Sequence, residues 1–325
     1  MDLLIVDTLH AEVVQWLRER HPLQEAPELA HDPRALRRAL YGVRATIVPG
    51  AVPVNAHVLN YAPVLKAIGR VNAGTENLDL EACARAGVEV VRSPTATAQA
   101  EAEFMIGAAL SLLRRVPLAG ADGFAAGREL GGATIGLIGM APGARAMARL
   151  LGAFGSRVVG YDPSLHESDP KWTQWQVAPV ALRKLLMQSD AVCVQLNYFS
   201  RYRGLLGERF LSFCKPHQVL VSTAHSGLFD EAALAEALTS GRLAAAWLDS
   251  LEPGALDPGR PLHGIETLQV TPRVASTTRE SRLRSAWAVA RRIDEILVER
   301  ATAFSDLAPL SPIESADLSG VSPLP

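Results

Sequence analysis

Only three cysteines occur in 325 residues, Cys83, Cys193 and Cys214. Their odd number and unpatterned spacing exclude a disulfide framework and a C-x-x-C metal or redox motif. They read as buried thiols in a reducing cytoplasm. Cys193 lies inside an apolar run, a poor environment for a nucleophilic thiolate. Charge of neither sign prevails: 32 Lys and Arg stand against 34 Asp and Glu, a net charge of −2. Nothing in that balance points to nucleic acid or an anionic membrane as a partner. No apolar run reaches the ~18 residues of a membrane span. The eight histidines are scattered, with no H-x-x-x-H pair, so no metal site is expected. No repeat of solenoid type is present. Met1-Asp2-Leu3-Leu4-Ile5-Val6-Asp7 reads as a core strand, not a secretory signal.

What the chain has is apolar material in short alternating blocks. Hydrophobic residues make up 48%, and the length suggests about two domains at ~100–200 residues each. Leu3–Val6, Ala45–Val48, Leu65–Ile68 and Val88–Val91 read as strands. His10–Arg20, Pro33–Leu40, Pro53–Tyr61 and Leu78–Ala86 read as the helices between them. Such alternation predicts an α/β fold with a doubly wound parallel sheet. A long helix is predicted over Ala98–Arg115, then a Gly- and Ala-rich connector over Val116–Glu129. A second alternation runs from Thr134 to about Thr271, and a helix over Thr277–Arg300 is expected to return to the first domain. The domain division is thus 1–97 with 277–303, and 98–276. The tail, 304–325, lacks either period and reads as a loosely docked end or an arm on a partner subunit.

The most telling stretch is Thr134–Pro163. It gives, in order, an apolar strand, a tight small-residue turn, an amphipathic helix, a strand and an acid: the order of a dinucleotide-binding βαβ unit. Gly139 allows the sharp turn. Asp162, at the end of the second strand, suits a ribose 2′-hydroxyl and repels a 2′-phosphate, which favours NAD over NADP. The turn reads Gly139-Met140-Ala141-Pro142-Gly143-Ala144. Ala141 adds a methyl group where backbone meets the diphosphate. Pro142 removes one N–H from the helix opening, although proline suits a first helical turn.

With these blocks in place, the sequence resembles the D-isomer-specific 2-hydroxyacid dehydrogenase family over residues 1 to about 300. Leu65–Asp79 looks like that family's substrate-carboxylate loop and Gly87–Glu103 like its interdomain crossover. Leu130–Pro163 looks like its cofactor unit. Val219–Asp230, Ala246–Pro261 and Val270–Thr277 look like its three catalytic segments. The resemblance implies a Rossmann-like NAD domain beside a discontinuous flavodoxin-like substrate domain, a homodimer and a small anionic substrate. It implies that Gly139, Ala141, Pro142, Gly143, Ala144, Asp162, Gln195, Thr223, Ala224 and Asp249 hold the cofactor. Substrate would meet Asn72, Ala73, Gly74 and Tyr198.

The family's catalytic triplet does not carry over. Its arginine position, in N-T-A-R-G, is His225 of Ser222-Thr223-Ala224-His225-Ser226. Its histidine position, in T-P-H, is Arg273 of Thr271-Pro272-Arg273. For its glutamate, a gapless alignment gives Gly254 and is preferred; a gapped one gives Glu252. Three explanations stay open. Roles exchange with positions, so that Arg273 grips an anion, His225 moves protons and Glu252 or another carboxylate orients His225. The cleft performs other chemistry. Or the site is inactive and the protein binds nucleotide as a sensor or scaffold. Unchanged roles are disfavoured, because arginine stays protonated and makes a poor proton shuttle.

Overall fold

The computed structural model describes residues 1–71, 74, 77–116, 118–119 and 125–305. The predicted substrate contacts Asn72 and Ala73 lie outside the described residues, as does most of the tail.

The first half contains β1 (Leu3–Ile5), α1 (Ala11–Arg18), β2 (Leu23–Glu25), α2 (Pro33–Ala39), β3 (Ala45–Ile47), α3 (Ala56–Leu59), β4 (Ala67–Arg70), α4 (Leu80–Arg85) and β5 (Glu89–Arg92). Its strands form one sheet in the order β2-β1-β3-β4-β5, parallel throughout. The strands β1 and β3 are buried along their whole length. Both faces are covered, so the apolar runs are continuous, not alternating. Helix starts are set by side chains that accept otherwise orphaned N–H groups. Asp32 caps α2, Asn55 caps α3 and Asp79 caps α4.

The long α5 (Ala98–Arg115) crosses over, and a small hairpin, β6 (Leu118–Ala119) with β7 (Ala125–Ala126), interrupts the expected connector. Next come β8 (Thr134–Ile138), α6 (Pro142–Ala153), β9 (Arg157–Tyr161), α7 (Lys171–Gln174), β10 (Ala178–Pro179), α8 (Leu182–Gln188) and β11 (Ala191–Val194). They are followed by α9 (Glu208–Leu211), β12 (Val219–Ser222), α10 (Glu231–Thr239), β13 (Ala245–Leu248) and β14 (Leu268–Val270). This second sheet has the order β10-β9-β8-β11-β12-β13-β14. The order reverses between β8 and β11, which opens a crevice at their carboxyl ends.

Helix α11 (Arg279–Ser305) returns to the first sheet and packs on β4, β5 and α1. Val289 and Ile293 enter the same core as Leu3, Ile5 and Ile47. Gly69 in β4 makes room: a Cβ there would lie 2.6 Å from Val289 and 2.9 Å from Ile293.

Several boundaries differ from the sequence reading. Strand β4 lies two residues beyond the expected Leu65–Ile68. The short α3 fills only the middle of the expected Pro53–Tyr61 helix. Edge strand β2 carries no strand signal in the sequence: it has three residues, two of them exposed, and offers no apolar run. Among the described residues, no helix is long and apolar enough to cross a membrane.

Candidate active site

Strand β8 ends in the turn that carries Gly139, whose φ of +88° falls where side chains are strained. A Cβ there would also lie 2.4 Å from the Gln195 carbonyl oxygen. Glycine is therefore required twice over, by backbone conformation and by the close approach of the chain leaving β11. Asp162 follows β9 and reaches back to this turn. Its Oδ2 accepts from the Met140 N–H at 2.8 Å. Its Oδ1 accepts from the Ser164 N–H at 2.9 Å and the Ser164 hydroxyl at 2.6 Å. One lone pair on Oδ2 remains for a further donor.

Three hollows adjoin along the carboxyl ends of the strands. One of about 280 Å³ is bounded by Asp162, Ser164, Trp175 and Tyr202, and shares Ala141 and Pro142 with its neighbour. The second, of about 420 Å³, passes Gln195, Tyr198 and Phe199. The third, also about 420 Å³, is lined by Arg70, Asp249, Ser250, Arg273 and Ser276. The second and third share Gly74, Glu101, Thr223, Ala224 and His225.

His225 sits just beyond β12, at this shared wall. Its Nδ1 accepts from the Gly227 N–H at 3.0 Å. The neutral ring therefore carries its proton on Nε2, which lies 3.4 Å from Glu252 Oε1. Tyr198 stacks on the imidazole, with 4.4 Å between centroids and 17° between planes. The structure thus brings together His225, Glu252 and Tyr198. Gly254, the residue preferred by the gapless alignment, forms a turn whose carbonyl accepts from the Asp257 N–H. The segment after β13 is built of turns, so alignment register does not determine which of its residues reaches the cleft.

Arg273 also borders the third hollow and is exposed. Its φ is +57°, and its Nε donates to Ser250 Oγ at 3.1 Å. The Arg273 loop is clamped by Asp249. That buried carboxylate accepts from the Thr271 hydroxyl at 2.6 Å and from the Val274 and Ala275 N–H groups, both at 2.9 Å. The sequence reading gives Asp249 to the cofactor; in the structure three of its four acceptor positions are committed to the loop. Arg70, not singled out from sequence, is a buried guanidinium in the same hollow. It donates to the Val48 carbonyl at 3.0 Å and the Gly74 carbonyl at 3.3 Å. A buried arginine at a strand end is visible in the sequence only as a charge after an apolar run.

The cofactor turn also holds a side-chain network that no sequence pattern marks. Gln195 Oε1 accepts from the Ala144 N–H. The sequence reading gives Ala144 to the cofactor; in the structure its N–H is taken by Gln195. Gln195 Nε2 donates to Glu101 and lies 3.4 Å from the Thr223 hydroxyl. Glu101 faces inward from the first turn of α5, and burial raises its pKa above the ordinary carboxyl value, against hydrogen bonds from Thr97 and Gln195.

The residues fit a dinucleotide. The acid after β9 keeps an open acceptor position beside the hollow of about 280 Å³. With Pro142 lacking an N–H and that of Ala144 taken, the Ala141 and Gly143 N–H groups stand at the opening of α6, an anion-favouring place. Among the described residues, no cluster of side chains could hold a metal ion.

Fold and cleft together define a doubly wound α/β protein of the dinucleotide-binding class. Residues 113–275 match the model of the D-isomer specific 2-hydroxyacid dehydrogenase NAD-binding domain. The chain belongs to the D-isomer specific 2-hydroxyacid dehydrogenase family. It is 33% identical over 259 residues to D-3-phosphoglycerate dehydrogenase of Mycobacterium bovis, across 77% of this chain and 48% of that one. It spans about half the length of that relative. It is 30% identical to (S)-sulfolactate dehydrogenase of Chromohalobacter salexigens, across 92% of this chain and 99% of that one. A solved protein of Thermus thermophilus superposes with a TM-score of 0.75 at 29% identity, over 92% of this chain and 97% of the other.

Proposed function

We propose that the protein is an NAD-dependent oxidoreductase acting on a small anionic 2-hydroxy or 2-oxo compound, with the site roles exchanged between positions. The observation that carries this reading is the His225–Glu252 contact at 3.4 Å, made by the histidine that lines a hollow together with Arg273. A bound nicotinamide dinucleotide supplies or accepts the hydride. Asp162 and the opening of α6 hold it, and the Asp162 carboxylate sets the preference for NAD. Arg273 anchors an anionic group of the substrate, a task suited to a guanidinium. His225 exchanges a proton through Nε2 with the substrate oxygen, so that hydride on carbon and proton on oxygen balance. Glu252, 54% exposed, links that ring to solvent. A second proton on the ring requires the Gly227 N–H bond to Nδ1 to open.

In this reading the body of residues 1–97 with 277–303 binds substrate and 98–276 binds cofactor. The working form is a cytoplasmic homodimer. Oxidation of NADH by the purified protein, followed at 340 nm across a panel of 2-oxoacids, tests the proposal. Turnover that is lost in His225→Gln supports it. Binding of NADH without turnover on any member of the panel overturns it.

That second outcome would favour a non-catalytic NAD-binding protein. One observation supports this second reading: the Ala144 N–H is occupied by Gln195, so the helix opening offers one donor fewer to a phosphate.

A further inference from the structure

Glu101 stands at the joint of the two larger hollows and lines both. Its Oε2 faces the first turn of α6: a Cβ on Gly143 would lie 2.8 Å from it. Gly143 carries one of the N–H groups left for a dinucleotide diphosphate. Glu101 also lines the hollow that Ala141 and Pro142 border, so a carboxylate there would share that space with the two negative phosphates of a bound dinucleotide, and like charges at close range are costly.

The surroundings give this carboxyl a way to be neutral. Thr97 Oγ1 lies 2.8 Å from Glu101 Oε1 and 3.2 Å from the Pro94 carbonyl. A hydroxyl has one hydrogen, so it can serve only one of these acceptors at a time. When Glu101 is ionised, the Thr97 hydrogen points to Oε1. When Glu101 is protonated on Oε1, its own hydrogen goes to Thr97 Oγ1, and the threonine turns its hydrogen to Pro94. Both states are hydrogen-bonded, and one hydroxyl rotation converts between them. Gln195 donates to Oε2 in either state. Thr97 is buried, so water does not compete for this exchange.

We infer that Glu101 binds the dinucleotide as the neutral acid, so that filling the cofactor cleft is coupled to uptake of one proton by this side chain. The inference rests on the dinucleotide-binding reading above, and it assigns Glu101 a binding role that does not depend on which substrate is reduced. Among the described residues, the charged or titratable groups facing the same space are Arg70 from β4, Arg92 from β5, Tyr198 after β11, His225 after β12, Asp249 after β13 and Arg273 after β14. Asp249 acts in the same direction as burial, raising the Glu101 pKa. The sign follows: affinity is greatest where the unliganded acid is already protonated, and it falls as pH rises through its pKa.

The test is calorimetric titration of NADH into the full chain at several pH values between about 6 and 9, in buffers of different ionisation enthalpy. The expected result is net proton uptake that peaks near one per dinucleotide, with Kd weakening up to about tenfold per pH unit on the alkaline side. Glu101→Gln, near-isosteric and always neutral, should bind NADH at least as tightly, with a flat pH profile and no uptake. Glu101→Ala should also lose the uptake, which covers the case where the glutamine variant does not fold. NADH binding without uptake, or uptake that persists in the variants, overturns the inference and leaves the dinucleotide reading intact. Failure of NADH to bind to wild type and variants alike overturns both.

Discussion

The imidazole of His225 lies flat against Tyr198, 4.4 Å between ring centroids, while its Nε2 meets Glu252 at 3.4 Å. One contact fixes the plane of the ring and the other fixes which edge of it is polar. Tyr198→Leu keeps an apolar neighbour but removes the stack. An aromatic pair of this kind contributes roughly 0.5–1.5 kcal/mol to the folded protein, so the melting temperature should fall by a few degrees at most, and kcat/KM for the substrate found should fall as the ring loses its fixed plane. Steady-state kinetics beside a thermal melt checks this.

His225 and Arg273 should separate in their kinetics. His225→Gln is expected to lower kcat by about 10²–10⁴ while NADH affinity is kept. Arg273→Ala should act mainly on KM for the anionic substrate. Arg273→Lys should restore only part of the loss, because an ammonium lacks the bidentate fork. A uniform fall in kcat with unchanged KM in both arginine variants would contradict an anchoring role.

Asp162 is expected to govern cofactor choice. Asp162→Ser removes the charge that opposes a 2′-phosphate and keeps a small polar side chain. With a like-charge penalty of about 1.4–2.8 kcal/mol at this half-buried carboxylate, affinity for NADP relative to NAD should rise by about ten- to a hundredfold. Paired fluorescence titrations with NADH and NADPH give the ratio.

Gly139→Ala places a methyl group at positive φ and 2.4 Å from the Gln195 carbonyl oxygen. Backbone strain and overpacking together should destabilise the fold by about 2–4 kcal/mol. Urea unfolding would register this as a lower midpoint at an unchanged slope. Dinucleotide binding should weaken as well, since the turn must move.

The buried thiols give a pH signature. Burial pushes Cys193 up to about 12, and burial does the same for Cys214, also up to about 12. Below pH 9 the thiols are neutral in folded and unfolded chains alike, so they add no pH dependence. Above the unfolded value near 9 the unfolded chain ionises and the folded chain does not. Stability should therefore fall with rising pH from about 9 toward 12. Ellman's reagent should leave Cys193 and Cys214 unmodified in the native protein and react with them after unfolding.

Much of this architecture is legible in the chain. Helix α5 spans Ala98–Arg115, as its long apolar stripe indicates, and the turn at Gly139 is marked by strand, small residues and helix in order. Strand ends are less legible. In β4, Gly69 and Arg70 extend the strand, although glycine and arginine carry no strand signal of their own; packing by Val289 and Ile293 decides that glycine. The Glu252–His225 contact falls between two alignments, and Glu101 carries no signal, because a glutamate in the first turn of a helix usually faces water.

Local sequence determined the order of strands and helices, the capped helix starts and the tight turn, because backbone preference and apolar periodicity act over a few residues. Only the tertiary structure decided which polar groups meet. His225, Arg273 and Glu101 come from three separate segments and line one cleft, and Glu252 from a fourth meets His225. Proton position and charge there depend on distances between residues far apart in the chain, which no local pattern encodes.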